Sequence, residues 1–539
     1  MQMSGRNMSR RGFLTMAGIG AATTAAMGLT SCSPTPNDAD KQQPSQGVQT
    51  VSNKYSFETP PDAVSESDIV ETKTADIVVV GAGTAGLTCA VSAAEEGKSV
   101  IVIAKDDAPS GQGGSHFAIG TKVMEENGKK LDVQEAIAHE MQLASYRVDS
   151  EQWSIFANES GAAMDWYCDL MAQGGLSCTL EVPASNCGGI TEEYWGSHVF
   201  YGGPNDTPFG DLPDELNVLV EQLSKNGQDV VFNNCAKQLV RDESGRVNAV
   251  IAENQEGKYV KYIGANAVVL ATGDYGNNPE MIEAWCPYVS GIPCMKAPAN
   301  NTGDGHAMAL WVGAAMQSNS NHAAMVFGPM DIYKSLTVNE LGQRIGNERV
   351  SNGFAAMEIL QQPGKHTFSF WDSTYAAKIP TYASRLTTEA DTPEMVKAAF
   401  DAGVEAGTIF KADSIAELAK HFSIDSNTLQ STIDRYNELC AAGVDTDHFK
   451  NADFMIAIKE APFYACENTP NLLVTLGGLD VTADMRVKDT EGKVIEGLWA
   501  LGAVAGNFYA NTYTTYFAGA NLGRNVCFGY RTGKLLAKL

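Results

Sequence analysis

Apolar and polar positions along this chain follow two periods, and they divide it into strands and helices. The clearest stretch follows Asp76. An unbroken apolar run, Ile77 to Val80, reads as a strand buried on both faces, as in a parallel sheet. A small-residue stretch, Leu87 to Glu96, predicts a helix closed by Gly97. The next apolar run, Ser99 to Ala104, predicts a second strand. Apolar spacing near 3.6 predicts helices within 131–175 and another over 210–226. Up to residue 270, short runs broken at Glu243-Ser244-Gly245 and Glu256-Gly257 predict a series of strands, ending in buried Ala267 to Leu270. The pattern predicts an α/β fold.

The N-terminal part lacks such periods. Ser9-Arg10-Arg11-Gly12-Phe13-Leu14 is a twin-arginine pattern, followed by a mildly apolar run from Thr15 to Leu29. Leu29-Thr30-Ser31-Cys32 has lipobox spacing, with Cys32 as an acylated first residue. Residues 1–32 thus predict export by the twin-arginine route and a lipid anchor in the cell envelope, outside the cytoplasmic membrane. Cleavage without acylation is the alternative. The apolar run is too short and too rich in Ala, Gly and Thr to span a bilayer, so any membrane contact is by the lipid anchor only. Residues 33–70, rich in Ser, Pro, Asp, Gln and Thr, read as a flexible tether.

With 539 residues, 44% of them hydrophobic, the chain has room for two domains. A formal net charge of −26 argues against nucleic acid or an anionic membrane surface as partner. The 11 cysteines show no C-x-x-C pairs, so no zinc, iron–sulfur or haem-attachment site is expected.

Chemistry enters at the first turn. Gly81, Gly83 and Gly86 stand at G-x-G-x-x-G spacing between the first strand and its helix. There, glycine lets the backbone of Gly81, Ala82, Gly83, Thr84, Ala85 and Gly86 approach a pyrophosphate at a helix N-terminus. A second glycine loop, Ser110-Gly111-Gln112-Gly113-Gly114-Ser115-His116, follows.

Further motifs appear in a fixed order. They are Asn234-Cys235-Ala236-Lys237-Gln238-Leu239, Ala271-Thr272-Gly273, and Asn301-Thr302-Gly303-Asp304-Gly305-His306. Next come Val338-Asn339-Glu340-Leu341-Gly342-Gln343-Arg344 with Asn347-Glu348, then Gly497-Leu498-Trp499-Ala500-Leu501-Gly502. Gly519-Ala520-Asn521-Leu522-Gly523 with Phe528-Gly529 closes the series. From about residue 74 to the end, the chain resembles the FAD-binding flavoproteins of fumarate reductase and succinate dehydrogenase. It is most similar to soluble flavocytochrome-type fumarate reductases, urocanate reductases and 3-ketosteroid dehydrogenases. The resemblance implies a Rossmann-like FAD-binding domain in two segments, 71–315 and 456–539, with an inserted α+β capping domain at 316–455. It implies FAD held by the fingerprint turn, by Lys105, and by Gly113, Gly114 and Ser115. Ala236, Ala271, Thr272, Gly273 and Asp304 complete the first segment's share. Gly502, Ala503, Asn521 and Leu522 come from the second.

Several positions depart from the family pattern. Ala104-Lys105 stands where an acid normally holds the adenosine ribose; Asp106, Asp107 or a water are the replacements to consider. Gly502-Ala503 replaces a G-E pair. His116 lies about two positions out of register with the histidine that attaches FAD in membrane-bound relatives, so a non-covalent flavin is expected.

On the substrate side, the resemblance implies a substrate histidine at His322, with a hydrogen-bonded histidine at the domain junction as the alternative. The proton-donating arginine of the family falls at Asn352. Arg349 either substitutes for it or forms a salt bridge. The second substrate histidine is replaced by Val474, and the carboxylate-clamping arginine by Asn521. Losing these groups removes charge-assisted hydrogen bonds of roughly 1.5–3 kcal/mol each, so fumarate fits poorly. Tyr516 first, and Tyr513 second, are expected to polarise a substrate carbonyl; aromatic packing under the flavin is the alternative for both. Tyr194 and Trp195 are further candidates for the pocket wall.

The expected function is FAD-dependent reduction of a carbon–carbon double bond conjugated to a carbonyl or carboxylate, in anaerobic respiration or detoxification. Electrons would come from a separate donor, such as a multihaem cytochrome or flavoprotein. A ketosteroid-type dehydrogenase and a non-catalytic flavin-binding lipoprotein are the two alternatives.

Overall fold

The computed structural model describes residues 54–181, 183, 194–206, 210–317, 324–327, 335–350, 352–378, 392–510, 513 and 516–539. The export segment, Cys32 and the first part of the tether lie outside these residues, as does His322.

Ile77–Val80 lies in the middle of the main sheet because none of its side chains needs water. Its strand, Ile69–Val80, pairs in parallel with Val100–Ile103 on one side and Tyr259–Leu270 on the other. Among the described residues the sheet runs Arg486–Lys488, Val494–Ala500, Tyr259–Leu270, Ile69–Val80, Val100–Ile103, Asp229–Val231. An antiparallel hairpin, Asn234–Arg241 with Val247–Asn254, joins it along Tyr259–Leu270. Val494–Ala500 comes from the far end of the sequence, yet it pairs in parallel with Tyr259–Leu270, Leu498 opposite Val268. The flavin-type domain is therefore built from two chain segments.

The fingerprint helix, Thr84–Glu95, packs on the C-terminal helix, Ala520–Leu536, with almost no space between backbones. A Cβ on Gly529 would lie 2.8 Å from the Ala85 carbonyl oxygen, and one on Gly533 2.6 Å from that of Cys89. These glycines bring the C-terminal segment against the fingerprint.

The inserted domain has its own antiparallel sheet. Its order is Leu336–Val338, Thr367–Asp372, Phe463–Asn468, Phe410–Ala412. Phe368, Phe370, Leu418, Leu429, Ile433 and Tyr436 fill a separate core between this sheet and the helices Ile415–His421 and Ser426–Ala442. Because Phe463–Asn468 belongs to it, the sheet draws on residues both before and after 455. A buried ionic cluster ties its loops together. Arg344 donates to Glu348 (2.8 Å) and Asp445 (2.7 Å), and Lys450 Nζ lies 3.2 Å from Glu348.

Two stretches differ from the sequence pattern. The first strand begins at Ile69, eight residues before its apolar run. Residues 69–75 pair with Tyr259–Gly264 with their side chains largely in water, so they carry no buried-strand signal. The tether expected to extend to residue 70 is docked from its last third. Phe57 is buried, its ring 5.1 Å from that of Trp285, and Trp311 Nε1 donates to the Phe57 carbonyl (2.8 Å). Phe57, with Tyr55 stacked on it, makes this anchor, and two aromatics in a polar stretch leave no periodicity to reveal it.

Candidate functional site

The turn from the first strand into the fingerprint helix is shaped by its neighbours. Gly81 has φ +118°, and a Cβ there would overlap the Ala271 carbonyl oxygen. A Cβ on Gly86 would overlap the Gly81 carbonyl oxygen. Gly83 caps the helix with no side chain, and the first turn carries no acid. The leading N–H groups of the helix are thus left for an anionic ligand. Thr84 Oγ1 and Thr272 Oγ1 are buried here with no hydrogen-bond partner. Open amides and orphaned hydroxyls fit the pyrophosphate of FAD.

The remaining FAD-side residues converge on this turn. Gly502 has φ +73°, and a Cβ on it would come 3.3 Å from the Ala85 Cβ. Ala503 is buried beside it. A Cβ on Gly305 would overlap Thr272 Oγ1, which sets Asp304 and Gly305 against Thr272-Gly273. Lys105 Nζ reaches Asp304 (2.7 Å) and Thr302 Oγ1 (3.1 Å). Ala236 lies two residues beyond Asn234, whose N–H donates to the Ala104 carbonyl (2.8 Å). The second glycine loop meets the start of the C-terminal helix. A Cβ on Gly113 would lie 2.9 Å from Leu522 Cδ1, and one on Gly519 would overlap the Ser115 carbonyl. Gly113, Gly114 and Ser115 thereby face Asn521 and Leu522.

At the ribose position, Asp106 is held by Asn300, whose Nδ2 donates to it at 2.5 Å. Lys296 from the same loop donates to Ser110 Oγ (2.6 Å). Sequence reasoning missed both residues, since they sit in an irregular loop with no motif. His116 is fully buried, with Nε2 3.3 Å from Glu215 Oε2, and Tyr167 donates to that same oxygen (2.9 Å). Burial pushes the imidazole down to about 3 and the Glu215 carboxyl well above its usual range. Both shifts favour the uncharged forms, and His116 is packed within a buried cluster.

On the substrate side, three tyrosines of the 506–519 segment are buried: Tyr509, Tyr513 and Tyr516. The Tyr509 and Tyr513 rings lie 5.1 Å apart. The Tyr516 ring packs at a tilt against His139, with 5.1 Å between centroids, and its carbonyl accepts the Tyr194 N–H (2.9 Å). The Tyr194 hydroxyl lies 3.3 Å from His139 Nδ1. Burial, with Glu135, Glu140, Tyr516 and Asp132 adding to it, holds the Tyr194 hydroxyl above its usual range, so it stays protonated and able to donate. His139, on the helix Val133–Leu143, was not legible: a lone histidine on an amphipathic helix reads as surface. Trp195, by contrast, is covered by Lys129, 3.8 Å from its ring centroid.

The capping domain reaches this segment at one helix start. A Cβ on Gly353, next to Asn352, would lie 4.0 Å from the Tyr513 carbonyl oxygen. Arg349 precedes that helix, and its guanidinium lies over the Phe454 ring at 3.7 Å. Val474 is paired with Met325 in a two-stranded sheet. Asn521, at the position of the clamping arginine, accepts from Arg524 Nε (3.1 Å). Among the described residues, no group of three or more His, Cys, Asp or Glu side chains is placed to hold a metal.

The chain is similar to the vinyl phenol reductase of Lactiplantibacillus plantarum, 27% identical over 86% of this chain and 96% of that protein. Its fold is that of the open conformation of a flavocytochrome c3 fumarate reductase (TM-score 0.68, 24% identity, 90% of this chain and 82% of that one). It is equally that of 3-ketosteroid-Δ4-(5α)-dehydrogenase from Rhodococcus jostii RHA1 (TM-score 0.69, 24% identity, 88% and 99%). The FAD binding domain model matches residues 76–516. With that match laid over the fingerprint turn, the second glycine loop and the Gly502 and Leu522 contacts, the chain belongs to the FAD binding domain family and is an FAD-dependent oxidoreductase.

Proposed function

We propose that this oxidoreductase reduces a carbon–carbon double bond conjugated to a carbonyl or to an aromatic ring, on a substrate with at most one negative charge. The observation that carries the reading is the tyrosine segment. Tyr513 and Tyr516 are buried where the sequence lacks the cationic clamp of a dicarboxylate site, and Asn521 turns its oxygen to Arg524. Likeness to a vinyl phenol reductase supports a phenolic or similarly aromatic alkene.

Bound FAD, once reduced, supplies hydride chemistry. The chain's own residues must polarise the conjugated group and bring a proton to the α-carbon. Tyr516 is assigned the polarising hydrogen bond. Tyr194, through its N–H to the Tyr516 carbonyl, and the half-buried His139 ring hold it in place. Tyr513 lies at the contact with the capping domain, suited to orient the substrate and exclude water. The products are the saturated compound and oxidised FAD, so a separate electron donor must return two electrons. A multihaem cytochrome or flavoprotein suits that role, in the cell envelope if the twin-arginine and lipobox residues act as read. His116, already packed against Glu215, favours non-covalent FAD.

Anaerobic assay with dithionite-reduced viologen against enones, enoates and vinyl or dihydroxyphenyl compounds tests the proposal. Saturated product from an aromatic or enone substrate, with little from fumarate, is expected; no turnover across the panel sinks it. Tyr516→Phe is expected to lower kcat about 100-fold with FAD content unchanged. Unaltered kcat would remove Tyr516 from the mechanism. Asn352, in place of a proton-donating arginine, favours a second reading, dehydrogenation of a saturated ketone. Dye-linked oxidation of such ketones, faster than the reverse reaction, would establish it.

A further inference from the structure

Among the described residues, the buried cations Arg344 and Lys450 have acids beside them, and Arg524 does not. In the capping domain, Arg344 and Lys450 share Glu348, and Arg344 also meets Asp445. Arg524, on the first turns of the C-terminal helix, is only 4% exposed. It donates from Nε to Asn521 Oδ1 (3.1 Å) and from Nη2 to the Gly502 carbonyl (3.1 Å). Its guanidinium lies 5.0 Å from the Tyr509 ring centroid and 5.3 Å from that of Phe508. Among the described residues it has no carboxylate partner. A buried charge without a counter-ion is strongly unfavourable, and two neutral oxygens with two ring faces compensate only part of it.

The two residues it holds both belong to the FAD side of the site. Gly502 abuts Ala85 in the fingerprint helix, and Asn521 precedes Leu522, which abuts Gly113. Arg524 thus braces both halves of the FAD cradle, and FAD is the anionic group that cradle receives.

We propose that Arg524 is the protein's counter-ion for FAD. The inference rests on FAD binding alone and not on the proposed substrate. Two parts of FAD carry negative charge: the pyrophosphate always, and the isoalloxazine when reduced. Burial lowers the affinity of the guanidinium for its proton, while the nearby Tyr509 and Tyr513 hydroxyls act in the opposite sense. An anionic ligand removes that penalty.

The experiment measures dissociation constants of oxidised and reduced FAD from the wild-type protein and from Arg524→Met, Arg524→Gln and Arg524→Lys, together with the flavin midpoint potential. Folding of each variant is checked by circular dichroism. Arg524→Met and Arg524→Gln are expected to bind FAD at least tenfold more weakly in one or both redox states, and Arg524→Lys to recover most of the loss. Equal weakening in both states assigns the charge to the pyrophosphate. Weakening confined to reduced FAD, with the potential falling by about 30 mV per tenfold, assigns it to the isoalloxazine. If a folded Arg524→Met or Arg524→Gln protein keeps both affinities and the potential, Arg524 is a packing residue for Phe508 and Tyr509, and the proposal is overturned.

Discussion

A Gly81→Ala protein is expected to purify without FAD. The methyl group would overlap the Ala271 carbonyl oxygen, and Gly81 holds φ +118°, a region that costs an L-residue roughly 1–3 kcal/mol. Ala271 is in no position to yield, because its N–H donates to the Val80 carbonyl (2.8 Å) at the end of the parallel pairing. The turn must therefore open, and with it move the amides that receive the pyrophosphate. Affinity for FAD should fall more than 100-fold, read as loss of 450 nm absorbance and by titration of the apo-protein. Gly97→Ala serves as control at the other end of the same helix. Gly97 also has positive φ, +87°, but a Cβ there meets nothing within 4 Å. That variant should keep its flavin and lose only about 1–2 kcal/mol of stability. Full FAD occupancy in Gly81→Ala would separate the fingerprint turn from cofactor binding.

This contrast also shows what is legible in a sequence. Gly81 and Gly97 look alike as letters; spacing between two apolar runs marked the first as a cofactor turn, and helix-closing position marked the second. The βαβ unit, the helices within 131–175 and the strand series up to Leu270 were readable because burial on a regular element leaves a period. The return of the C-terminal segment to the first domain was implied by the family resemblance, rather than by any period, and Val494–Ala500 pairs with Tyr259–Leu270 accordingly. Residues 69–75 were not readable as strand, since a half-exposed ribbon beyond the core has no apolar run. At the site, residue types were readable and partners were not. Tyr516 and Tyr513 stood out as a tyrosine cluster, but His139, far upstream, meets Tyr516 only through the tertiary fold. Arg524 was visible as an arginine three places past Asn521. That it has no acidic partner among the described residues is a property of the tertiary fold, which no spacing encodes.

The second large effect is expected in the capping domain, where Glu348→Gln or Glu348→Ala should remove about 3–5 kcal/mol of stability. Glu348 is almost fully buried, 2.8 Å from Arg344 and 3.2 Å from Lys450. Burial alone would raise its carboxyl pKa, but Lys450 and Arg344 outweigh burial and hold it below the usual value. Asp445 behaves alike: burial raises it, and Arg344 with the His448 and Lys450 backbone N–H groups hold it well below the usual range. Burial lowers the Lys450 ammonium, which works against the pair. The cluster stays ionic because a neutral Glu348 would remove the carboxylate charge beside buried Lys450 and leave Arg344 paired with Asp445. Both carboxyls have folded pKa values below their unfolded values of about 4.3 and 3.9. Their contribution is therefore complete above pH ~5 and is lost as pH falls through the folded pKa values, because the unfolded chain takes up the protons first. Thermal or urea unfolding at pH 7 should place Glu348→Gln well below wild type, and the gap should narrow steadily as the pH drops below about 4. In the variant the Glu348 charge beside Arg344 and Lys450 is absent at every pH, with Asp445 still paired to Arg344, whereas wild type loses that charge only in acid. A gap that stays constant from pH 7 to pH 3 would mean that Glu348 acts through its shape and hydrogen bonds rather than its charge, and the cluster would then be a packing motif.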